Sequence, residues 1–165
     1  MALSANPAVS LRLMWATYAV GGLGTFMGLY FLGSGDTAPA ASWTCAVAVG
    51  GSGLISFVRH SIFHRSDAAR MGWDLGRRNE FQIEVGLANL AWGIVGVAAW
   101  ALDWGTTAQG AVIIIFGLYL LFAAILHLAD ITKAADEGGH RFGPLIAVTV
   151  FAALLLVVGV AAVLP

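Results

Sequence analysis

Apolar runs close to bilayer-crossing length recur along this chain, and nothing else in it constrains the fold as strongly. A helix needs about 20 such residues to cross the hydrocarbon. Five segments come near that length: about 11–32, 43–58, 81–101, 109–129 and 142–164. Charged residues are 10% of the chain, against about 25% in a soluble domain. The expected class is therefore all-α: a polytopic membrane helical bundle, one membrane domain over 1–165, its core formed between helices and its surroundings a lipid bilayer.

Charge distribution sets the expected topology. The second run is short and holds Gly50, Gly51 and Gly53, so a re-entrant segment is the alternative to a span. Arg12 precedes the first run. Arg59, Arg65, Arg70, Arg77 and Arg78 lie between the second and third, and Lys133 and Arg141 between the fourth and fifth. Five transmembrane helices put all 8 basic residues on one side, which the positive-inside rule makes cytoplasmic. A non-spanning second run would leave five arginines outside. The reading is five spans, N-in and C-out, with a cytoplasmic loop over 59–79. Arg12, an apolar run and Ala38-Pro39-Ala40 imitate a signal peptide. The run from Leu13 to Leu32 exceeds a 7–15-residue signal core, so an uncleaved first span is expected. A bias to Ala, Gly and Val, and to Arg over Lys, suggests a bacterial inner membrane. The single Cys45 excludes an intramolecular disulfide and any multi-cysteine metal site.

The stretch from Arg77 to Trp100 carries the densest polar pattern. On a helix, Gln82, Gly86, Asn89, Gly93, Gly96 and Trp100 share one stripe, and Glu80, Glu84, Ala88 and Ala91 the opposite one. Two faces unsuited to lipid make this the expected central helix. The first two runs carry glycines at close spacing, which lets helix backbones approach in lipid. No Gly-Lys-Ser/Thr follows them, so a phosphate loop is not indicated. Within 59–79, Ser66 can cap a short surface helix running through Ala69, Met71 and Trp73, with the arginines held against anionic lipid.

Three expected helix ends meet on the basic side. The second brings His60 and His64, the third Glu80 and Glu84, the fourth His127 and Asp130. Their spacings place each pair on one side of its helix. Inward His and carboxylate side chains hold di-iron and di-manganese centres in bundles, and Fe, Mn or Zn accept such ligands. These six are the candidate metal set, although their spacing lacks the Glu-x-x-His motif of ferritin-like sites. Each pair also has a plainer explanation. Asn79 and Gln82 read as a capping box, with Glu80 favouring the helix dipole. His60 and His64 suit a solvated loop, and Asp130 a span end. Glu84 and His127 fall about a turn inside, where an ionised group costs a few kcal/mol unless paired or wetted. They are expected to meet, since the short 102–108 connection makes their helices neighbours. Asn89 either bonds a neighbouring helix or lines a pocket for an apolar ligand such as a quinone. Gln82, Glu84, Asn89 and His127 form the candidate ligand pocket.

The run F-Q-I-E-V-G-L-A-N-L-A-W-G-I-V-G, followed by a helix ending I-L-H-L-A-D, resembles a family of small bacterial integral membrane proteins catalogued as a domain of unknown function. The resemblance rests on Phe81, Gln82, Glu84, Gly86, Asn89, Leu90, Gly93, Gly96, His127 and Asp130. An Asn-Ala-Gly element that often follows the fourth span there is replaced here by K-A-A-D-E-G-G-H-R-F-G. The resemblance implies that Glu84, Asn89 and His127 belong to one motif, and it brings no activity.

The function expected from these residues is a small membrane protein with a cytoplasm-facing His/carboxylate pocket for a divalent metal or an apolar redox ligand, with oxidoreductase activity one outcome. The rival readings are a non-catalytic accessory subunit, as a homo-oligomer or within a larger membrane complex, and a small carrier. No inverted repeat supports the carrier. The arginines lack an interleaved aromatic platform, so nucleic acid is not an expected partner.

Overall fold

The computed structural model describes residues 5–72, 74, 76–133 and 142–164, with side chains for all of these but 129–133 and 142. Within them the chain is all-α. In order come α1 (Pro7–Gly33), α2 (Thr37–Ile62), α3 (His64–Met71), α4 (Glu80–Ala101), α5 (Thr106–Lys133) and α6 (Phe142–Val163). Four of these, α2, α4, α5 and α6, are long and apolar enough to cross a membrane. At 27 residues α1 has the length, but its glycines, threonines and aromatic hydroxyls leave it less apolar than those four.

The second helix departs furthest from the sequence expectation. It begins at Thr37 instead of Trp43 and ends at Ile62 instead of Val58, which gives it 26 residues. Pro39 does not delay its start, because a first-turn N–H has no intrahelical acceptor and its loss costs nothing there. Two stretches of α2 are π-helical, Thr44–Gly51 and Val58–Ile62. Half of its apolar window is buried, against 28% in each of the other three candidate spans. The central helix is therefore α2, and α4 lies beside it.

On α4 the glycine stripe is the packing face, as its period predicts. Gln82, Gly86, Asn89, Gly93 and Gly96 are buried, but Ala99 closes the stripe and Trp100 is half exposed. The opposite face is turned out of the bundle: Glu80, Glu84 and Ala91 are exposed. One face, not two, meets the protein. A Cβ on Gly53 would lie 2.7 Å from Gly93 N, and one on Gly96 would lie 2.8 Å from Gly50 N, so α2 and α4 cross almost backbone to backbone. Such contacts supply the dispersion that holds helices together where lipid offers no hydrophobic gain.

α1 runs antiparallel to α2 along its length. Its buried stripe is Ser10, Met14, Thr17, Gly21, Gly24, Thr25 and Gly28. Gly28 faces Thr44, Gly24 faces Ala48 and Gly21 faces Ser52. Pro7 opens the helix behind an Asn6 cap, whose Oδ1 accepts from Ala8 N at 3.0 Å. This register carries the first turns of α1 to the Ile62 end of α2. At the opposite end Ala40, Ala41, Cys45, Ala48 and Val49 pack on Ile113 and Phe116 of α5 and Leu155 and Val158 of α6. α5 packs chiefly along α6, where Gly110 and Gly159 bring the backbones together.

Candidate functional site

Polar side chains converge where the Ile62 end of α2 meets α1, α3 and the start of α4. The local cause is the second π-helical stretch. Phe63 N bonds Val58 O at 3.0 Å, five residues back, so the turn holds one residue more than an α-turn. Arg59, His60 and Ser61 then all find partners on α3 and α4. Ser61 Oγ donates to Ile83 O at 3.0 Å. α3 starts immediately, at His64, and ends on Gly72, whose φ of 80° is the left-handed cap glycine adopts readily. Its Ser66 and Asp67 face inward and are fully buried. Ser66 is thus not a helix cap; its hydroxyl donates to Asn6 O and accepts from Ser10 N at 3.0 Å.

Asp67 is the hub. Its Oδ1 accepts from the Ser10 hydroxyl, from Arg70 Nη2 at 3.1 Å and from Arg70 Nε at 3.3 Å. Arg59 Nε stands 3.8 Å from the same oxygen, an ion pair too long to be a hydrogen bond. His60 Nδ1 lies 2.8 Å from Asp67 Oδ2 and 2.9 Å from Gln82 Oε1. One N–H cannot point at both; its direction serves Gln82, and Oδ2 is left with the electrostatic contact alone. His60 Nε2 stands 2.6 Å from Arg59 Nη2. A guanidinium only donates, so Nε2 must accept, and the ring is the neutral Nδ1–H tautomer. Burial by itself would raise the Asp67 carboxyl. Contact with His60, the charge of Arg59 and the Ser10 hydroxyl overcome that and hold it well below the usual carboxylate range.

A second shared position lies deeper. Asn89 Nδ2 donates to Val85 O at 2.8 Å and to Tyr119 Oη of α5 at 3.2 Å. Tyr119 stacks on Phe116, and both lie against Trp92. Asn89 therefore bonds a neighbouring helix across the stripe.

The sequence-derived set disperses. Gln82 joins the site, though not as half of a capping box. Its backbone N bonds Asn79 Oδ1 at 3.1 Å, as a cap requires, while its side chain turns to His60. His60 is buried at Asp67, not solvated. His64 Nδ1 closes its own turn on Ser61 O at 2.9 Å. Glu80 pairs with Arg78 at 2.9 Å on the exposed rim. Glu84 is exposed, and neither it nor the half-buried His127 has a bonding partner among the described residues. The pairs joining α4 to α5 run from Gln109–Ala99 to Asn89–Tyr119. The Asp130 side chain lies outside the described residues. Among the described residues no three His, Cys, Asp or Glu side chains come together as a metal set.

Sequence reasoning passed over Asp67, Arg59, Arg70 and Ser10. One signal was present: Asp67 and Arg70 stand three apart, within an otherwise basic segment that begins next to a His. Ser10 offered none.

A family model matches residues 37–163. The chain belongs to DUF6790, a family of unknown function. The DUF6790 region takes in α2 to α6, and with them Arg59, His60, Asp67 and Gln82; Ser10 lies before it. The match agrees with the resemblance in its one testable property, an uncharacterised family. No curated protein and no solved structure matches the chain.

Proposed function

We propose that this DUF6790 protein is a five-span protein of the bacterial cytoplasmic membrane that binds a small polar ligand where α1, α2, α3 and α4 meet. One observation supports the ligand above all. Arg59 Nε and Asp67 Oδ2 are buried without a hydrogen-bond partner among the described residues, inside a cluster whose other groups are bonded. An unsatisfied buried group costs about 1–3 kcal/mol, more when charged. A molecule offering an acceptor to one and a donor to the other would relieve both. Support for α1 as the fifth span is that it accompanies α2 along its length; with five spans, the positive-inside rule would put the site on the cytoplasmic side.

A thermal-stability screen of the purified protein in neutral detergent tests the ligand. Small anions, cations and neutral polar compounds are compared on the wild type and on His60→Gln. At least one class should raise Tm of the wild type and lose that effect in the variant. A flat screen, or equal shifts in both proteins, refutes the reading. A reporter after Pro165 should lie outside the cytoplasm and one near Gly72 inside; an inside C-terminus removes the five-span arrangement.

The accessory-subunit reading has one observation of its own. Glu84 is a carboxylate on the outer face of a candidate span with no partner among the described residues. Such a group calls for a cation or water from outside the chain. A photo-crosslinker at position 84 should capture protein if a subunit covers it and lipid if none does.

A further inference from the structure

Charge counting narrows the ligand. Arg59 and Arg70 bring two positive charges to the cluster and Asp67 one negative. His60 adds none, because its Nε2 accepts from Arg59. The cluster therefore carries one excess cation. The Arg59 and Arg70 side chains are 14% and 23% exposed, and that of Asp67 is not exposed at all. For charges largely but not fully withdrawn from water, an anion is the favoured ligand because it cancels the excess.

The second unsatisfied atom decides which anion. Asp67 Oδ2 is an acceptor and requires a donor. A carboxylate or a phosphodiester presents only acceptors and would set negative oxygen against negative oxygen. A phosphate monoester, whose second pKa is about 6, can present O⁻ and P–OH together. We propose that the cluster binds a phosphate monoester, with an anionic oxygen on Arg59 Nε and the P–OH donated to Asp67 Oδ2. This rests on the ligand-binding reading above. Inorganic phosphate in the cytoplasm and the monoester headgroup of a lipid in the adjoining leaflet present this same combination of anionic oxygen and P–OH, and either can be the source.

The test measures binding to the full chain in neutral detergent by thermal shift and calorimetry. The probes are inorganic phosphate, short-chain phosphatidic acid, short-chain phosphatidylglycerol as the diester, and choline as a cation. The wild type should bind a monoester saturably and at least about tenfold more tightly than the diester, the scale of one charged hydrogen bond. Arg59→Lys keeps the charge, loses Nε and should weaken monoester binding by about tenfold or more. Arg70→Gln, which removes the excess cation, should weaken it severalfold and supplies the same reading if the Arg59 variant does not fold. Asp67→Asn should narrow the gap between monoester and diester. Phosphatidic acid binding without inorganic phosphate identifies the lipid source, and comparable binding of both identifies free phosphate. A diester bound as tightly as the monoester, or monoester binding untouched by both the Arg59 and the Arg70 variants, overturns the proposal. Binding of choline alone, lost in His60→Gln, overturns it while leaving a ligand site. No binding of any probe removes this proposal, and the flat broader screen described above would then remove the ligand site too.

Discussion

Gly24 and Gly22 stand two residues apart on α1, and changing each to Ala should have opposite effects. A Cβ on Gly24 would sit 2.3 Å from Ala48 N and 2.8 Å from Ala48 Cα, both backbone atoms of α2. Favourable contact begins near 3.5 Å, so α1 and α2 would have to part by about 1 Å. The separation cannot stay local, because Gly28 against Thr44 and Gly21 against Ser52 belong to the same seam. Overpacking of this kind costs about 1–3 kcal/mol, occasionally more. Ala gains at most about 1 kcal/mol over Gly in helix propensity, and less where lipid keeps the separated helix folded. Gly24→Ala should therefore destabilise by about 2 kcal/mol. A Cβ on Gly22 meets nothing within 4 Å, so Gly22→Ala keeps only the propensity gain and should be neutral or stabilising by up to about 1 kcal/mol. Unfolding in mixed micelles with increasing denaturing detergent measures both. Equal shifts, or a shift of the same sign, would mean that α1 does not lie in this register against α2. Ser10 would then have no reason to stand at Asp67.

Further outcomes follow from the same geometry. Asp67→Ala should destabilise by about 3 kcal/mol, the low end for breaking a buried pair, because it leaves Arg59 and Arg70, 14% and 23% exposed, against no carboxylate. Ser10→Ala should cost only about 1–2 kcal/mol; the reverse order in a denaturation series would displace Asp67 as the hub. The depressed Asp67 carboxyl sets the acid limb of stability. Its contribution is in full above the unfolded value of about 3.9 and is lost as pH falls through the lower folded value. Tm should therefore fall on acidification through that window in the wild type and less steeply in Asp67→Asn. Gly93→Leu should be severe, since even a Cβ there lies 2.9 Å from Leu54 N. Gly105→Ala has open space, yet its φ of 85° should cost about 1–2 kcal/mol, a loss seen by the same unfolding assay.

The period of the α4 stripe was legible in the sequence because a helix repeats every 3.6 residues whatever it packs on. That period alone puts Gln82, Asn89, three glycines and Trp100 on one stripe, and the structure buries the first five while Trp100 is half exposed. The apolar lengths likewise announced helices able to cross a membrane, since bilayer thickness fixes length without reference to partners. The bounds of α2 were not legible. Its last turn carries Arg59, His60 and Ser61, polar residues beyond the apolar run whose partners on α3 and α4 only the fold supplies. The π-helical turn that gathers them is a local rearrangement that no apolar period records.

Which charges meet was decided only by tertiary structure. Glu84 and His127 stand at matching ends of helices adjacent in sequence. Yet α5 packs along α6, and the outer face of α4 carries Glu84 out of the bundle. Ser10 and Asp67 are 57 residues apart, and neither has a partner until α1 lies antiparallel on α2. Sequence determined what each helix is and which of its faces is small enough to pack. The backbone contacts at Gly24, Gly53 and Gly96 decided which face meets which. Polar groups then met where those close approaches set the register, because a helix fixed within an ångström at its glycines has no freedom left to choose partners at its ends.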